Sequence, residues 1–314
     1  MIQNQIRGRF APSPSGRLHV GNMLSSLLAW LDVRSLGGEM IFRLEDLDPD
    51  RSTYENACYM AEDLQWLGLD WDIGWTPNTN PEYAQSNRNA LYENLFVEME
   101  ENGLVYPCFC SRAQRLAASA PHPGEIQDAG CGCRTLSSAE KNFLMETRRH
   151  SYKIHVDDCD ITFKDAHYGP QRYSMRAGTD DFIVRRADGV FAYQLAVSYD
   201  DAVMGVTRVV RANDLLDSSP KQIWLIEKMG YTPPVYCHAP LLVINDGRKM
   251  SKRNGDLCMR ELRKNHTPEQ LCGKLAYLCG LLDAPEAVHP KDLIEIFSWE
   301  KIPTENIVLP NNLF

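Results

Sequence analysis

A change of hydrophobic period within the first fifty residues limits the fold of this sequence more than any other feature. Ile6 to Ala11 is short and partly apolar, and the turn-forming run Pro12 to Gly16 ends it as a predicted strand. Apolar residues then recur at steps of three and four as far as Gly37, which predicts an amphipathic helix, and Met40 to Leu44 is a second predicted strand. Strand, turn, helix and strand in this order make a βαβ unit, which predicts a parallel sheet.

Signals of the same kind continue along the chain on both sides of an irregular middle region. Ser52 and Glu55 have the spacing of a capping box, which predicts the start of a second helix. Val190 to Val197 and Thr207 to Val210 are predicted as strands, and Ser219 to Met229 as a helix. The pattern favours a doubly wound α/β domain interrupted by an insertion.

Composition excludes several classes of protein. The 314 residues are 44% apolar, enough for a sizeable core, and contain neither 18 successive apolar residues nor a signal peptide, so we expect a cytoplasmic chain. Ten cysteines in such a chain indicate reduced thiols rather than a disulfide scaffold. A net charge of -9 argues against nonspecific coating of nucleic acid, because that binding depends on many phosphate contacts.

The turn from Pro12 to Asn22 has the composition of a phosphate-binding site. It leads into a helix, and the backbone N–H groups and positive dipole end of a helix N-terminus attract anions. Gly21 would let a ligand lie close to the backbone, and His19 can donate a hydrogen bond to a phosphoryl oxygen. Taken alone, these residues fit a tight turn with an incidental histidine equally well.

A second candidate segment is the basic run Lys249 to Arg253, with the sequence K-M-S-K-R, which follows an apolar strand from Leu241 to Ile244 and an Asn-Asp-Gly turn. A mobile basic loop can close on a triphosphate and neutralise the charge that develops as pyrophosphate leaves. Taken alone, such a segment is more often an ordinary basic surface loop.

Together the two segments resemble the paired signatures of the class I aminoacyl-tRNA synthetases. His19 to Asn22 corresponds to the HIGH motif of that family, and Lys249 to Arg253 corresponds to the KMSKS motif. The runs Arg9 to Gly16, Arg43 to Asp48 and Asp200 to Thr207 are similar to the glutamyl branch. The resemblance covers most of the chain.

The resemblance implies a site for glutamate, which requires cations for two carboxylates and an anion for the ammonium group. Arg9 and Arg211 would hold carboxylates, and Glu45 would hold the ammonium group. Tyr193 and Ser13 would complete the pocket.

The resemblance also implies ATP as a substrate, with Mg²⁺ bridging its phosphates. His19 and Lys252 would be the catalytic residues, acting by positioning and charge stabilisation without a protein nucleophile. Asn22 is a departure from the last position of the HIGH motif. The residues expected to bind ATP are His19, Gly21, Asn22, Lys249, Ser251 and Lys252.

Four of the cysteines form two C-x-C pairs, Cys108 with Cys110 and Cys131 with Cys133, separated by twenty residues. If the intervening loop folds back, four soft ligands converge, which suits structural zinc. Zinc binding at small cysteine sites contributes roughly 10 to 16 kcal/mol, enough to order an insertion. Four unliganded thiols are the alternative. The resembled enzymes carry zinc here, some with a tyrosine as third ligand, so Cys131 is a departure.

The segment after the second signature bears on the RNA partner. Only 61 residues follow Arg253, fewer than the anticodon-binding domain of a full-length glutamyl-tRNA synthetase needs. The glutamyl-Q branch of the family, which Asp181 to Val197 also resembles, lacks that domain and places glutamate on the queuosine base in the anticodon loop of tRNA(Asp). We therefore expect a monomer whose partners are L-glutamate, ATP and queuosine-containing tRNA(Asp), with glutamate activation independent of tRNA. The alternatives are a truncated glutamyl-tRNA synthetase that charges the 3′ end of tRNA(Glu), and a noncatalytic tRNA-binding paralogue.

The predicted fold is thus α/β, a doubly wound, Rossmann-like parallel sheet of the HUP type with a zinc-containing insertion and a short helical C-terminal extension. Residues 1–105 and 181–256 are expected to form the two halves of a nucleotide-binding catalytic domain. Residues 106–180 would form the acceptor-type insertion, and residues 257–314 the extension.

Overall fold

The computed structural model describes residues 5–111, 131–244, 257–310 and 313–314. The strands in these ranges are β1 (Arg7–Phe10), β2 (Glu39–Phe42), β3 (Ile73–Gly74), β4 (Val105–Cys108), β5 (Ser151–Ile154), β6 (Cys159–Asp165), β7 (Gly169–Met175), β8 (Phe182–Arg185), β9 (Arg208–Ala212), β10 (Val235–Ala239), β11 (Leu242–Val243) and β12 (Ile307–Val308). The α-helices are α1 (Val20–Ser35), α2 (Tyr54–Trp66), α3 (Asn89–Glu101), α4 (Ser138–Thr147), α5 (Tyr193–Val203), α6 (Ser219–Lys228), α7 (Met259–Asn265) and α8 (Pro268–Leu278).

Parallel strands from both halves of the chain lie side by side. β1, β2 and β3 pair in that order, and β9 pairs with β10. β9 runs beside β1, where the Thr207 N–H donates to the carbonyl oxygen of Arg7 at 2.9 Å. The first fifty residues form the expected β1-α1-β2 unit. The prediction of a doubly wound parallel sheet is confirmed.

Helix α1 is buried on most of its surface because it is covered on more than one side. Its leucines, including Leu27 and Leu28 at 0% exposure, belong to the larger hydrophobic core, and each such side chain contributes roughly 1.5 to 3 kcal/mol on burial. Asp32 on the same helix accepts hydrogen bonds from Arg208 Nη2 at 2.6 Å and from Trp299 Nε1 at 2.7 Å. The C-terminal segment is therefore held against the catalytic sheet through this helix.

The middle of the chain, described as irregular from the sequence, contains two antiparallel sheets. β4, β5 and β8 form one, and β6 and β7 form a hairpin. In β6 and β7 every second residue is exposed and the residues between are more buried, which is the pattern of a strand with one face toward solvent. The alternation of Cys159 to Asp165 was therefore a strand signal that the prediction of an irregular region missed.

Two local predictions were wrong. Val190 to Val197 is not a strand, because α5 begins within it at Tyr193 and buries Leu195, Ala196 and Val197 on its inner side. The residue that caps α2 is Thr53 rather than Ser52, and its side chain accepts from the Asn56 N–H at 3.2 Å.

The C-terminal segment is only partly helical. After α7 and α8 the chain passes through short 3₁₀ turns to β12, which pairs in parallel with β11. The tail beyond Pro303, which carried no sequence signal, thus extends a strand of the catalytic half. Among the helices in the described ranges, none has the length and apolar character needed to cross a membrane.

Candidate active site

A cavity of about 500 Å³ opens beyond the ends of β1, β2 and β9. In open α/β sheets this edge is where ligands bind, and the volume is within the range of small-molecule sites. Six of the predicted site residues line its wall: Arg9, Ser13, Asn22, Glu45, Tyr193 and Arg211. The structure thus brings the whole predicted glutamate set together with one member of the predicted ATP set.

Arg211 is a buried cation whose neighbours are neutral acceptors. Its Nη1 donates to Gln222 Oε1 at 2.7 Å, its Nη2 to Ser219 Oγ at 2.7 Å, and its Nε to His238 Nε2 at 3.1 Å. Among the described residues, no carboxylate oxygen lies within 4.0 Å of its guanidinium. A buried charge of this kind is costly unless a ligand supplies the opposite charge. Arg211 is therefore complementary to an anionic ligand in the cavity.

Arg9 differs because its charge is already shared with the protein. Its Nε lies 3.4 Å from Asp201 Oδ1, and its Nη1 donates to the carbonyl oxygen of Val210 at 3.1 Å. The same Asp201 oxygen accepts from Arg43 Nη1 at 2.7 Å. Asp201 is thus shared by two arginines, and Arg43 has Glu45 and Asp200 as further partners, so among the described residues Arg9 has only this shared carboxylate against its charge.

Glu45 provides the negative charge in the same cavity. Arg43 Nη2 donates to its Oε1 at 3.3 Å. Burial raises the pKa of Glu45 because it disfavours the charged carboxylate, and the positive charges of Arg43 and Arg9 oppose this effect. With cations on one side and a carboxylate on the other, the cavity matches an amino acid that carries an extra acidic group.

His19 caps the helix that follows the phosphate-type turn. Its Nδ1 accepts from the Gly21 N–H at 3.2 Å, and its own N–H donates to Asn22 Oδ1 at 3.2 Å, which completes a reciprocal capping box. Because Nδ1 is an acceptor, a neutral His19 ring carries its proton on Nε2, the nitrogen that can act as donor. The ring is buried, while its neighbours Leu18 and Asn22 line the cavity.

Gly21 is required by its own helix cap. A Cβ atom at this position would lie 3.1 Å from His19 Cε1 and 3.2 Å from Nδ1. The sequence had suggested that Gly21 makes room for a ligand; in the structure the imidazole ring of His19 lies over it. Asn22 Oδ1 is occupied by the cap, so the group that Asn22 can offer to a phosphate is its amide NH₂.

Lys249, Ser251 and Lys252 lie outside the described residues, but the segment that follows them contacts the His19 turn. The Val20 N–H donates to the carbonyl oxygen of Leu257 at 3.1 Å, and the Met259 N–H donates to that of Leu18 at 2.9 Å. The residues that follow the second signature, from Leu257 onward, are thus hydrogen-bonded to the backbone of the first signature.

All four cysteines predicted as metal ligands converge. Their Sγ atoms lie within 4.8 Å of one another, and the Cys108–Cys131, Cys110–Cys131 and Cys110–Cys133 separations are 3.4, 3.5 and 3.7 Å. Four thiolates around zinc at about 2.3 Å would be about 3.8 Å apart, so the set fits a tetrahedral site. Cys131, a departure from the resembled enzymes, belongs to this set, with its Sγ within 3.5 Å of those of Cys108 and Cys110.

Sequence analysis missed several residues that hold the site together. Asp201 was quoted only as part of a motif, although it joins Arg9 to Arg43. Gln222 and His238 carried no signal at all, because their importance lies in contacts with Arg211 across eleven and twenty-seven positions.

Comparison with known proteins gives consistent matches over nearly the whole chain. The family model described as class I tRNA synthetases (E and Q), catalytic domain, matches residues 5–306. A glutamyl-Q tRNA(Asp) synthetase of Symbiobacterium thermophilum is 45% identical, with 96% of this chain and 95% of that protein covered. A second, from Nitratidesulfovibrio vulgaris, is 41% identical, with 98% and 97% covered.

A solved structure is similar at the level of the fold. The glutamate-tRNA synthetase of Elizabethkingia anophelis superposes with a TM-score of 0.82 at 25% identity, covering 98% of this chain and 69% of that one.

Proposed function

The chain belongs to the class I tRNA synthetases for glutamate and glutamine, a family of ligases, and we propose that it activates L-glutamate with ATP and transfers it to queuosine in the anticodon loop of tRNA(Asp). One observation carries this proposal: Arg211 and Glu45 line the same cavity, and Arg211 forms no salt bridge among the described residues. A dicarboxylic amino acid has the matching charges.

In the proposed activation, the α-carboxylate of glutamate attacks the α-phosphorus of ATP, and pyrophosphate leaves. Arg211 and Arg9 hold the two carboxylates, Glu45 holds the ammonium group, and Ser13 and Tyr193 shape the wall between them. No protein nucleophile takes part, so the protein acts by positioning and by stabilising charge on the phosphates.

For the nucleotide, we propose that His19 donates from Nε2 to a phosphate oxygen and that Lys252 neutralises the charge of the departing pyrophosphate. The cap bond between Gly21 and His19 Nδ1 supports the first role, because it fixes the tautomer that carries a proton on Nε2. The contacts of Leu257 and Met259 with the His19 turn support the second. Mg²⁺ would accompany ATP as part of that substrate.

We propose zinc as the metal of the cysteine cluster, with a structural role. Four thiolates and no other ligand type favour zinc and leave no open coordination position for chemistry. The cluster lies at the end of β4, outside the residues that line the glutamate cavity.

The proposed RNA partner is supported by the names of the relatives and by an arginine-rich cavity between the insertion and the end of β8. This second cavity, of about 490 Å³, is lined by Arg148, Arg149, Arg185 and Arg186 together with Glu146. Arg185 pairs with Glu93 at 3.0 Å and Arg186 pairs with Asp188, so Arg148 and Arg149 carry the argument. In the described part of the chain, Arg148 and Arg149 have no carboxylate within 4.0 Å. Arg186 Nη1 lies 3.8 Å from Asp48 Oδ2, just after the Arg43–Glu45 stretch, so the cavity is near the glutamate site. Unpaired arginines suit RNA phosphates.

Two measurements on the purified protein test the proposal. Glutamate-dependent exchange of pyrophosphate into ATP, measured without RNA, should proceed. Transfer of labelled glutamate to tRNA(Asp), followed by nuclease digestion and mass measurement, should locate glutamate on the queuosine nucleotide. Unmodified tRNA(Asp) lacking queuosine is the matched control. Glutamate found on a 3′-terminal adenosine would replace this proposal with the truncated glutamyl-tRNA synthetase.

A further inference from the structure

We infer that His238, anchored by Asp165, is a positioning residue that orients Arg211 and keeps its charge available for a substrate carboxylate. This inference rests on the proposed function only in taking glutamate as the ligand of Arg211. His238 and Asp165 are not among the residues that line the cavity, so neither of them can touch the substrate directly.

The three side chains form a continuous buried chain of hydrogen bonds. Asp165 Oδ2 lies 2.6 Å from His238 Nδ1, and His238 Nε2 lies 3.1 Å from Arg211 Nε. Asp165 and His238 are both fully buried. Because a guanidinium can only donate, His238 Nε2 must accept, and the ring proton is therefore on Nδ1, directed at Asp165.

Asp165 is itself fixed by the backbone. Its Oδ1 accepts from the N–H groups of His167 at 2.9 Å and Tyr168 at 2.8 Å, in the turn between β6 and β7. The His238 N–H lies 3.3 Å from the same oxygen. The β6–β7 hairpin thus fixes the carboxylate of Asp165, and this carboxylate orients the imidazole of His238. The imidazole in turn orients Arg211 on β9.

The neutral imidazole is what distinguishes Arg211 from the other arginines of the site. Arg9 and Arg43 contact Asp201 directly, so their charges are partly neutralised within the protein. At Arg211 the ring of His238 separates guanidinium from carboxylate while still accepting a directional hydrogen bond. A direct carboxylate partner would compete with the substrate; a neutral spacer provides orientation without that competition.

The titration of the two groups agrees with this arrangement. Burial lowers the pKa of His238, and the charge of Arg211 adds to that effect against the bond from Asp165, so the ring stays neutral. For Asp165, burial acts to raise the pKa, but the hydrogen bonds from His238, Tyr168 and His167 outweigh it and lower the pKa. An ionised carboxylate beside a neutral imidazole is the state that the geometry requires.

Two substitutions of His238 separate its bond to Asp165 from its contacts at Nε2, where Ser219 Oγ lies at 3.3 Å in addition to Arg211. In His238→Gln, the side-chain oxygen can reach the position of Nε2 and accept from Arg211, but the bond to Asp165 is lost. In His238→Asn, the amide can reach the position of Nδ1 and donate to Asp165, but nothing accepts from Arg211. If His238 acts through Arg211, the Asn variant should bind glutamate roughly ten- to a hundredfold more weakly, and the Gln variant should recover most of the affinity.

The readout is the Kd for glutamate by calorimetry, with the KM for ATP in pyrophosphate exchange and the thermal midpoint as companions. Equal loss of glutamate affinity in both variants, or loss that follows thermal stability and extends to the KM for ATP, overturns the inference. Unchanged affinity in the Asn variant overturns it as well. A wild-type protein that binds glutamate but never modifies queuosine refutes the proposed acceptor, and the comparison of the two His238 variants still decides the inference.

Discussion

Replacing Arg211 with alanine should remove glutamate recognition far more than it removes stability. Removing one partner of a buried, hydrogen-bonded charge pair costs about 2 to 5 kcal/mol, which corresponds to a roughly 30-fold to several-thousand-fold weaker Kd. The lower part of that range should apply, because four of the five N–H groups of Arg211 already donate to neutral acceptors in the protein and one remains for a substrate carboxylate. Glutamine, whose side chain is uncharged, should lose less affinity, so discrimination between the two amino acids should decline.

The effect on stability should be smaller because two terms oppose each other. The variant removes the Arg211 donor from Gln222 Oε1, Ser219 Oγ and His238 Nε2. Tyr236 Oη still lies 3.4 Å from Gln222 Oε1, and Ser219 Oγ lies 3.3 Å from His238 Nε2; an acceptor left unsatisfied costs roughly 1 to 3 kcal/mol if water cannot replace the donor. The cavity beside Arg211 admits water, and the uncompensated buried charge is gone. We expect a net loss of about 1 to 3 kcal/mol, seen as a fall in Tm of roughly 2 to 4 °C per kcal/mol.

Arg208 offers a matched control on the same strand. It pairs with Asp32 at 2.6 Å, so Arg208→Ala leaves a buried carboxylate without its cation, at a cost of about 3 to 5 kcal/mol. Calorimetry should then show weak glutamate binding with modest destabilisation for Arg211→Ala, and the reverse for Arg208→Ala. Wild-type affinity in the Arg211 variant would refute the assignment of this arginine to a substrate carboxylate.

Four further predictions concern the other parts of the site. Lys252→Ala should slow pyrophosphate exchange by about one to three orders of magnitude with little change in glutamate affinity, since loss of one transition-state donor costs roughly 3 to 4 kcal/mol; an unaltered rate would remove Lys252 from the mechanism. The purified protein should contain one zinc ion by elemental analysis. The Cys110→Ser variant should release this zinc and have a lower thermal midpoint, while its rate of pyrophosphate exchange, measured below that midpoint, should change little. Because burial raises the pKa of Glu45, glutamate affinity should fall as the pH drops through that raised value and the carboxylate is protonated. A Glu45→Gln variant should abolish this inflection in a calorimetric pH series. Its unfolding free energy at neutral pH should be no lower than that of the wild type, because a raised folded-state pKa means that stability from this group is present at low pH and lost as the pH rises. The double variant Arg148→Glu/Arg149→Glu should weaken tRNA(Asp) binding and flatten its dependence on salt, whereas Arg172→Ala, which removes an exposed arginine paired with Asp160, should not; equal salt slopes would exclude the arginine-rich cavity as a phosphate contact.

How well the sequence predicted the fold depended on how local the determining signal was. Helix α1 was found because its apolar residues repeat over four turns and its cap lies in the adjacent turn. The segment Val190 to Val197 was misassigned because valine, phenylalanine and tyrosine favour strands. Its helical state is set instead by the burial of Leu195 and Ala196 in a core shared with α3 and α6.

The candidate site shows the same division. Residues within short signatures, such as Arg9, Ser13 and Glu45, line one cavity because each signature lies at or just beyond the end of a strand. The residues that orient Arg211 were beyond reach, since Ser219, Gln222 and His238 come from two later elements and contact Arg211 only when β9 and β10 pair. The state of a buried hydrogen-bond chain is a property of the folded protein rather than of any short segment.

The backbone hydrogen bonds that join Leu18 and Val20 to Met259 and Leu257 also determine when, during synthesis, the His19 turn can reach its final structure. A growing polypeptide leaves the ribosome from its N-terminus, so the turn that carries His19 is released long before the residues that complete its hydrogen bonding are translated. Until then β1 and α1 can associate, but the Val20 N–H and the Leu18 carbonyl oxygen beside the cap of α1 lack their partners and remain solvated. A nascent fragment that stops short of Leu257 is therefore expected to be helical at its beginning and inactive, because the residues that complete the hydrogen bonding of the His19 turn lie more than 230 positions later in the chain.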